Sequence, residues 1–174
     1  MPLNERTHLP SKKYHYRDID WAHLLYQEKV YVPIYSDIYH MSGERRFLLT
    51  ATLSIRNSNL QDTMYVQTVE YYDSEGQLSK KYLNKTIALH PLESVEFVVE
   101  NKEDQGGAGA SFIVHWGTNS PVVKTVIQGV MIGTISQQGI SFMTEGVVVE
   151  EWSEGSIEVS EDSTSVSEKM KNEK

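Results

Sequence analysis

Between Phe47 and Arg56 the chain has a period of two. Phe47, Leu49, Ala51, Leu53 and Ile55 fall on one face of an extended strand, and Thr50, Thr52, Ser54 and Arg56 on the other. A strand written this way has one wall to bury and one to leave in water, so a second layer must cover the apolar wall. Val95, Phe97 and Val99 repeat the pattern against Glu96 and Glu100. Helical segments cannot satisfy this spacing.

Further β segments follow from the same reading. Val30–Tyr35 is extended, and Pro33 predicts an edge or a bulge there, because proline cannot donate to a ladder. Thr63–Tyr72 and Gln77–Leu83 flank Asp73-Ser-Glu-Gly76, a turn with glycine where a positive φ is wanted. A turn at Pro91 leads into the strand ending near Glu100. Ser111–Trp116, Val122–Gly133, Ile140–Phe142 and Gly146–Val149 complete the series. Seven to nine strands with regular turn signals predict an all-β, immunoglobulin-like antiparallel sandwich. Ten tyrosines suit its half-buried surfaces.

Outside residues 29–149 the pattern changes. Residues 1–28 are expected to form a polar arm and one short helix. Asp18 or Asp20 would cap it, and Trp21, Leu24, Leu25 and Glu28 lie at helical spacing. Residues 150–174 are rich in Ser, Glu and Lys and predict a disordered acidic tail. The net charge of −8 is concentrated there: Glu145–Lys174 holds nine acids and three bases. The rest of the chain is nearly neutral, with Arg45-Arg46 as its one basic pair, so no nucleic-acid partner is expected.

The sequence has no cysteine, which excludes disulfides, thiol nucleophiles and Cys zinc sites. It also has no apolar stretch of membrane-spanning length and no signal pattern at its start.

Several segments, taken in order, resemble a bacterial domain-of-unknown-function family, number 3124. They are Val30–His40, Phe47–Asn57, Tyr71–Gly76, Leu92–Phe97, Gly106–Phe112 and Val130–Phe142. The resemblance implies a bacterial source, a compact β domain and a hint of the cell envelope, but no activity.

If successive strands alternate in direction, the connections Ser36–Arg46, Asp73–Gly76, Asn101–Ala110 and Thr134–Gly139 share one end. That end gathers Asp37, Tyr39, His40, Asp73, Asp104, Gln137 and Gln138 as candidate ligand-binding residues, since loops on a rigid scaffold commonly bind. The Gly106-Gly-Ala-Gly-Ala110 run precedes a strand and not a helix, so its glycines predict a tight backbone approach and no phosphate cradle.

No nucleophile elbow and no H-E-x-x-H or EF-hand spacing is present, and no catalytic residue, cofactor or metal is assigned. The expected function is a non-enzymatic binding module that presents these loops or an edge strand to a protein or small ligand. The alternatives are a metal or small-ligand site around His40, and a structural protein that forms homo-oligomers through its edges.

Overall fold

The computed structural model describes residues 14–99, 107–121, 125–135 and 137–153. Thirteen strands run through them. The first seven are β1 (His15–Tyr16), β2 (Tyr26–Ile34), β3 (Asp37–His40), β4 (Ser42–Leu48), β5 (Thr50–Asn57), β6 (Met64–Tyr72) and β7 (Leu78–Leu83). Then come β8 (Ile87–Leu89), β9 (Ser94–Val99), β10 (Ala110–Thr118), β11 (Thr125–Ile135), β12 (Gln138–Glu145) and β13 (Val147–Ser153). Among the described residues, no helix is long and apolar enough to cross a membrane.

The strands form three antiparallel sheets. The largest runs β1-β8-β6-β10-β2-β13, with β7 also on β6; the second runs β12-β11-β5-β9; among the described residues β3 and β4 pair only with each other. One buried cluster joins the two larger sheets. It includes Val30, Val66, Val114 and Trp116 from the first and Leu53, Ile55, Phe97 and Ile127 from the second. The apolar half of the 47–55 alternation is buried as expected, with Phe47 7% exposed and Leu49, Ala51, Leu53 and Ile55 0%; on the other face Ser54, expected in water, is also buried at 4%. Each such Phe, Leu or Ile side chain contributes about 1.5–3 kcal/mol by leaving water.

The strand is nonetheless divided. Phe47 and Leu48 belong to the β3–β4 hairpin, and β5 begins at Thr50 after Leu49 donates its N–H to the Ser36 carbonyl at 2.8 Å.

Sheet order departs from chain order. The connections β5–β6 and β9–β10 each cross between sheets, with β5 paired to β9 and β6 to β10. The count of thirteen exceeds the expected seven to nine partly because single strands are interrupted. β7 and β8 lie in succession along the same side of β6, opposite Tyr72–Val69 and then Val66–Met64. They take the place of one strand, so the alternation of direction along the chain survives the extra segment.

The helix expected over Trp21–Glu28 is not formed. Asp20 does cap, accepting from the Ala22 N–H at 3.1 Å, but only a 3-10 turn at Trp21–His23 follows, and Leu24 is already extended. Eight residues cannot offset the cost of helix nucleation alone. From Tyr26 onward the backbone instead pairs along both sides, with β10 and with β13.

This placement also corrects the edge position expected for Val30–Tyr35, since β2 is interior. Pro33 is accommodated because β13 begins opposite Tyr31, leaving no partner strand to demand its missing N–H on that side. The first residues of the expected tail, 150–153, belong to β13. Residues 1–13 and 154–174 lie outside the described residues.

Candidate functional site

β2 ends, β6 ends and β10 begins at one end of the large sheet: Ile34 faces Ala110, and Tyr72 faces Ser111. The connections at this end touch. Ser36 donates both its N–H (3.2 Å) and its hydroxyl (3.1 Å) to the Gly107 carbonyl, and the Gly109 N–H donates to Ser74 Oγ at 3.0 Å. Gly107 has φ +74°, and a Cβ there would sit 2.5 Å from Ser74 Oγ. Here the glycine-rich run makes the close backbone approach read from its sequence. The β11–β12 connection turns at the same end, because Ile132 pairs with Thr50 next to Leu49 and Ser36.

The β3–β4 hairpin rises from this end. Its root is pinned by buried Phe47 and by Asp37, whose two oxygens accept from Arg46 Nη1 at 2.7 and 2.9 Å. Arg46 also donates to the Tyr39 hydroxyl at 3.1 Å and stands 4.9 Å over its ring. The hydrogen bond and charge of Asp37 push the guanidinium pKa further up, so the cation is permanent. Tyr39 to Arg46 are all exposed, with Tyr39 57% and Met41 82% accessible. Met41, at the tip, has φ +63°, a left-handed conformation that costs a side-chain-bearing residue energy.

The candidate residues therefore separate by role. Asp37 and Tyr39 meet through Arg46. His40 is exposed beside the Phe47 ring at 6.2 Å. Asp73 Oδ1 accepts from the N–H groups of Glu75 (2.9 Å) and Gln77 (2.8 Å), which closes the turn that Gly76 completes at φ +77°. Gln137 and Gln138 are exposed in the β11–β12 turn. Asp104 lies outside the described residues. The candidate carboxylates grouped with His40 are engaged elsewhere: Asp37 holds Arg46, and Asp73 holds its own turn.

A second cluster lies on the outer face of the large sheet, where the alternation gave no reason to expect one. His115 packs between Trp21 (5.0 Å) and Trp152 (5.6 Å), with its Nε2 3.2 Å from Gln27 Oε1. Lys29 sits 5.4 Å over the Trp152 ring and 2.8 Å from Glu150. Burial, and then the Lys29 cation, hold the His115 pKa below its ordinary 6.5.

The unfolded chain therefore binds a proton at His115 more readily than the folded one. Its contribution to stability is complete above about pH 6.5 and falls as pH drops from there toward the lower folded-state value. A thermal-melt series from pH 8 to pH 5 should show this decline, and His115→Gln should flatten it. An unchanged slope in the variant would assign the decline elsewhere. Glu70 acts in a lower window. Lys81 at 3.0 Å lowers its pKa, so its contribution is present above the ordinary carboxylate value and is lost progressively as pH falls through that value and below it.

At the opposite end of the sheets, three residues from the N-terminal arm and the Pro91 turn come together. His15, His90 and Glu93 bring their ligand-type atoms within 4.8 Å of one another. Only the i, i+3 spacing of His90 and Glu93 about Pro91 was legible; the approach of His15 is set by β1 pairing with β8.

No curated protein matches the chain. Among solved structures it is similar to the crystal structure of Thermotoga maritima 1070, at 12% identity and a TM-score of 0.39, over 69% of this chain and 92% of that one. Residues 27–149 match the family described as "Protein of unknown function (DUF3124)", which spans β2 through the start of β13, and the chain belongs to that family.

Proposed function

We propose that this protein is a non-enzymatic interaction module that offers the β3–β4 hairpin, and the connections packed at its root, to a protein partner. The observation that carries the reading is the hairpin itself. Among the described residues it pairs with no other strand; it is held at its base by Asp37–Arg46 and Phe47, and displays Tyr39, Met41 and Leu48 to solvent. An isolated hairpin in water is marginal, so a chain that anchors one and strains its tip is keeping a shape for use. Tyrosine, methionine and arginine are the side chains enriched where proteins meet. Nearby, β11 and β12 add exposed Ile132 and Ile140.

We further take the fold to be an immunoglobulin-like sandwich. The crossed connections β5–β6 and β9–β10 support this, corresponding to the paired B–E and C–F strands of that fold. The outer strands are exchanged relative to it: β2 lies beside β10, and β11 beside β5.

The test compares wild type with Tyr39→Ala/Met41→Ser as immobilised baits in lysate of the source cell, with Leu60→Ser at the other end as control. A central aromatic anchor is worth about 2 kcal/mol or more, so a genuine partner should bind the double variant at least roughly thirtyfold more weakly. It should bind the Leu60 control normally. If every retained protein binds both variants alike, the hairpin is not the contact surface.

A further inference from the structure

We propose that His15, His90 and Glu93 form a binding site for a borderline divalent cation of the zinc class. The site is distinct from the hairpin and does not depend on it.

The turn between β8 and β9 prepares two of the ligands. Pro91 presets the first central residue, and Leu92 takes φ +62°, so the turn closes with the Glu93 N–H donating to the His90 carbonyl at 3.0 Å. Among the described residues, Leu92 and Met41 are the two non-glycine residues in the left-handed region. A leucine there is strained, whereas glycine adopts this conformation without steric cost. The effect of the turn is to fold the Glu93 carboxylate back over His90. Its Oε2 accepts from the His90 N–H at 2.9 Å, which leaves Oε1 as the oxygen near His15.

The third ligand comes from β1, a two-residue strand whose His15 pairs opposite Ala88. His15 Nε2 lies 3.5 Å from Glu93 Oε1, and the His15 and His90 rings meet edge to face at 4.9 Å. Ligands on a tetrahedral ion at ~2.1 Å stand about 3.4 Å apart, so the His15–Glu93 separation is already that of a coordination edge. A His90 ring nitrogen lies within 4.8 Å of both other ligand atoms, so it has to close in to complete the face.

Two imidazoles and one carboxylate suit Zn²⁺, Co²⁺ or Ni²⁺, whereas Ca²⁺ and Mg²⁺ want oxygen ligands in larger number. The His15 side chain is 44% exposed and that of Glu93 28%, so the ion has an entry path and a fourth position open to water or to a donor from another molecule. The backbone contacts of the ligands supply the outer support that such sites use: the Glu93 carbonyl accepts from the Asn57 N–H at 2.9 Å. Ion binding would fasten the first strand of the large sheet to the β8–β9 turn, closing a long stretch of chain.

Tag-free, chelator-treated full-length protein titrated with ZnCl2 in a calorimeter should bind one ion per chain. At a hundredfold excess over Kd the melting temperature should rise by about 5–10 °C. CaCl2 and MgCl2 should give neither effect. Co²⁺ should produce the intense visible absorption of a low-coordinate site. His15→Ala and Glu93→Gln should each weaken Zn²⁺ binding at least tenfold while circular dichroism stays that of the wild type, and His40→Ala should bind normally. If wild type binds no Zn²⁺, or if His15→Ala binds it as tightly, the proposal is overturned. Loss of binding in His40→Ala would overturn it equally, moving the site to the hairpin.

Discussion

Replacing Trp116 by alanine is expected to lower the unfolding free energy by about 3–5 kcal/mol, the range for truncating a fully buried large aromatic. In a protein of this size that amounts to a fall of roughly 6–20 °C in melting temperature. Trp116 is 1% exposed, in the cluster shared by the two large sheets. Its indole N–H donates to Glu28 Oε2 at 3.1 Å, and its ring lies 5.8 Å from that of Tyr26.

Glu28 points inward from β2, directly opposite Trp116, and also accepts from the Tyr26 hydroxyl. Burial, then the carboxylates of Glu28 and Glu151, hold the Tyr26 pKa far above its ordinary value. The alanine variant thus opens a cavity and also strips a donor from a part-buried carboxylate. Trp116→Phe separates the two effects, since it keeps most of the ring and loses the N–H, and its cost should be clearly the smaller. Urea denaturation reads both. A loss below about 1 kcal/mol for the alanine variant would mean that this side chain does not join the sheets.

Asn57→Ala should rank second in damage, at about 2–3 kcal/mol, as one or two buried acceptors lose their donor. Asn57 is 2% exposed at the end of β5. Its Nδ2 lies within hydrogen-bonding distance of three carbonyls, those of Asp62 (2.8 Å), Leu89 (2.9 Å) and His90 (3.1 Å). Its Oδ1 accepts from the Asn59 N–H at 3.0 Å. One amide group thereby fastens the β5–β6 connection to the end of β8 and to the turn that carries His90 and Glu93.

Asn57→Asp is the decisive companion. It has the same shape but aims a carboxylate at those carbonyls, so it should cost at least as much as alanine above pH 6. Were the aspartate variant as stable as wild type, the hydrogen bonds would not be what Asn57 contributes.

Parts of this protein were legible in its sequence because they depend on neighbours along the chain. The alternation from Phe47 to Ile55 fixed which apolar side chains are buried, whatever sheet they entered, but not that Ser54 on the other face is covered too. Asp73 and Gly76 specified a turn through a side-chain oxygen and a positive φ, both local properties. The glycines near Gly107 signalled a close approach without naming Ser74 as what is approached. The candidate site was legible only as an end of the molecule. Strand directions alternate along the chain, so the parity of the connections placed Ser36, Ser74 and Gly107 together. The Arg46 bridge that joins Asp37 to Tyr39 could not be read, because it depends on how the hairpin folds over its root.

The departures have one cause. Trp21–Glu28 has helical spacing and an N-cap, and a cap was formed, but pairing with β10 and β13 outweighed a short helix. Val30–Tyr35 contains a proline and was expected at an edge or a bulge, yet a partner strand that stops at Tyr31 is enough to accommodate it.

The amino-acid order by itself determined that this chain is built of strands, which faces of them are dry, and where it turns, since each of these follows from steric and solvation preferences of adjacent residues. Which strands become neighbours, and hence that His15 meets His90 and Glu93, or that Trp21 and Trp152 enclose His115, was decided only when distant segments competed for the same backbone hydrogen bonds and the same apolar wall. Those contacts are gained collectively on folding, and no single stretch of sequence encodes them.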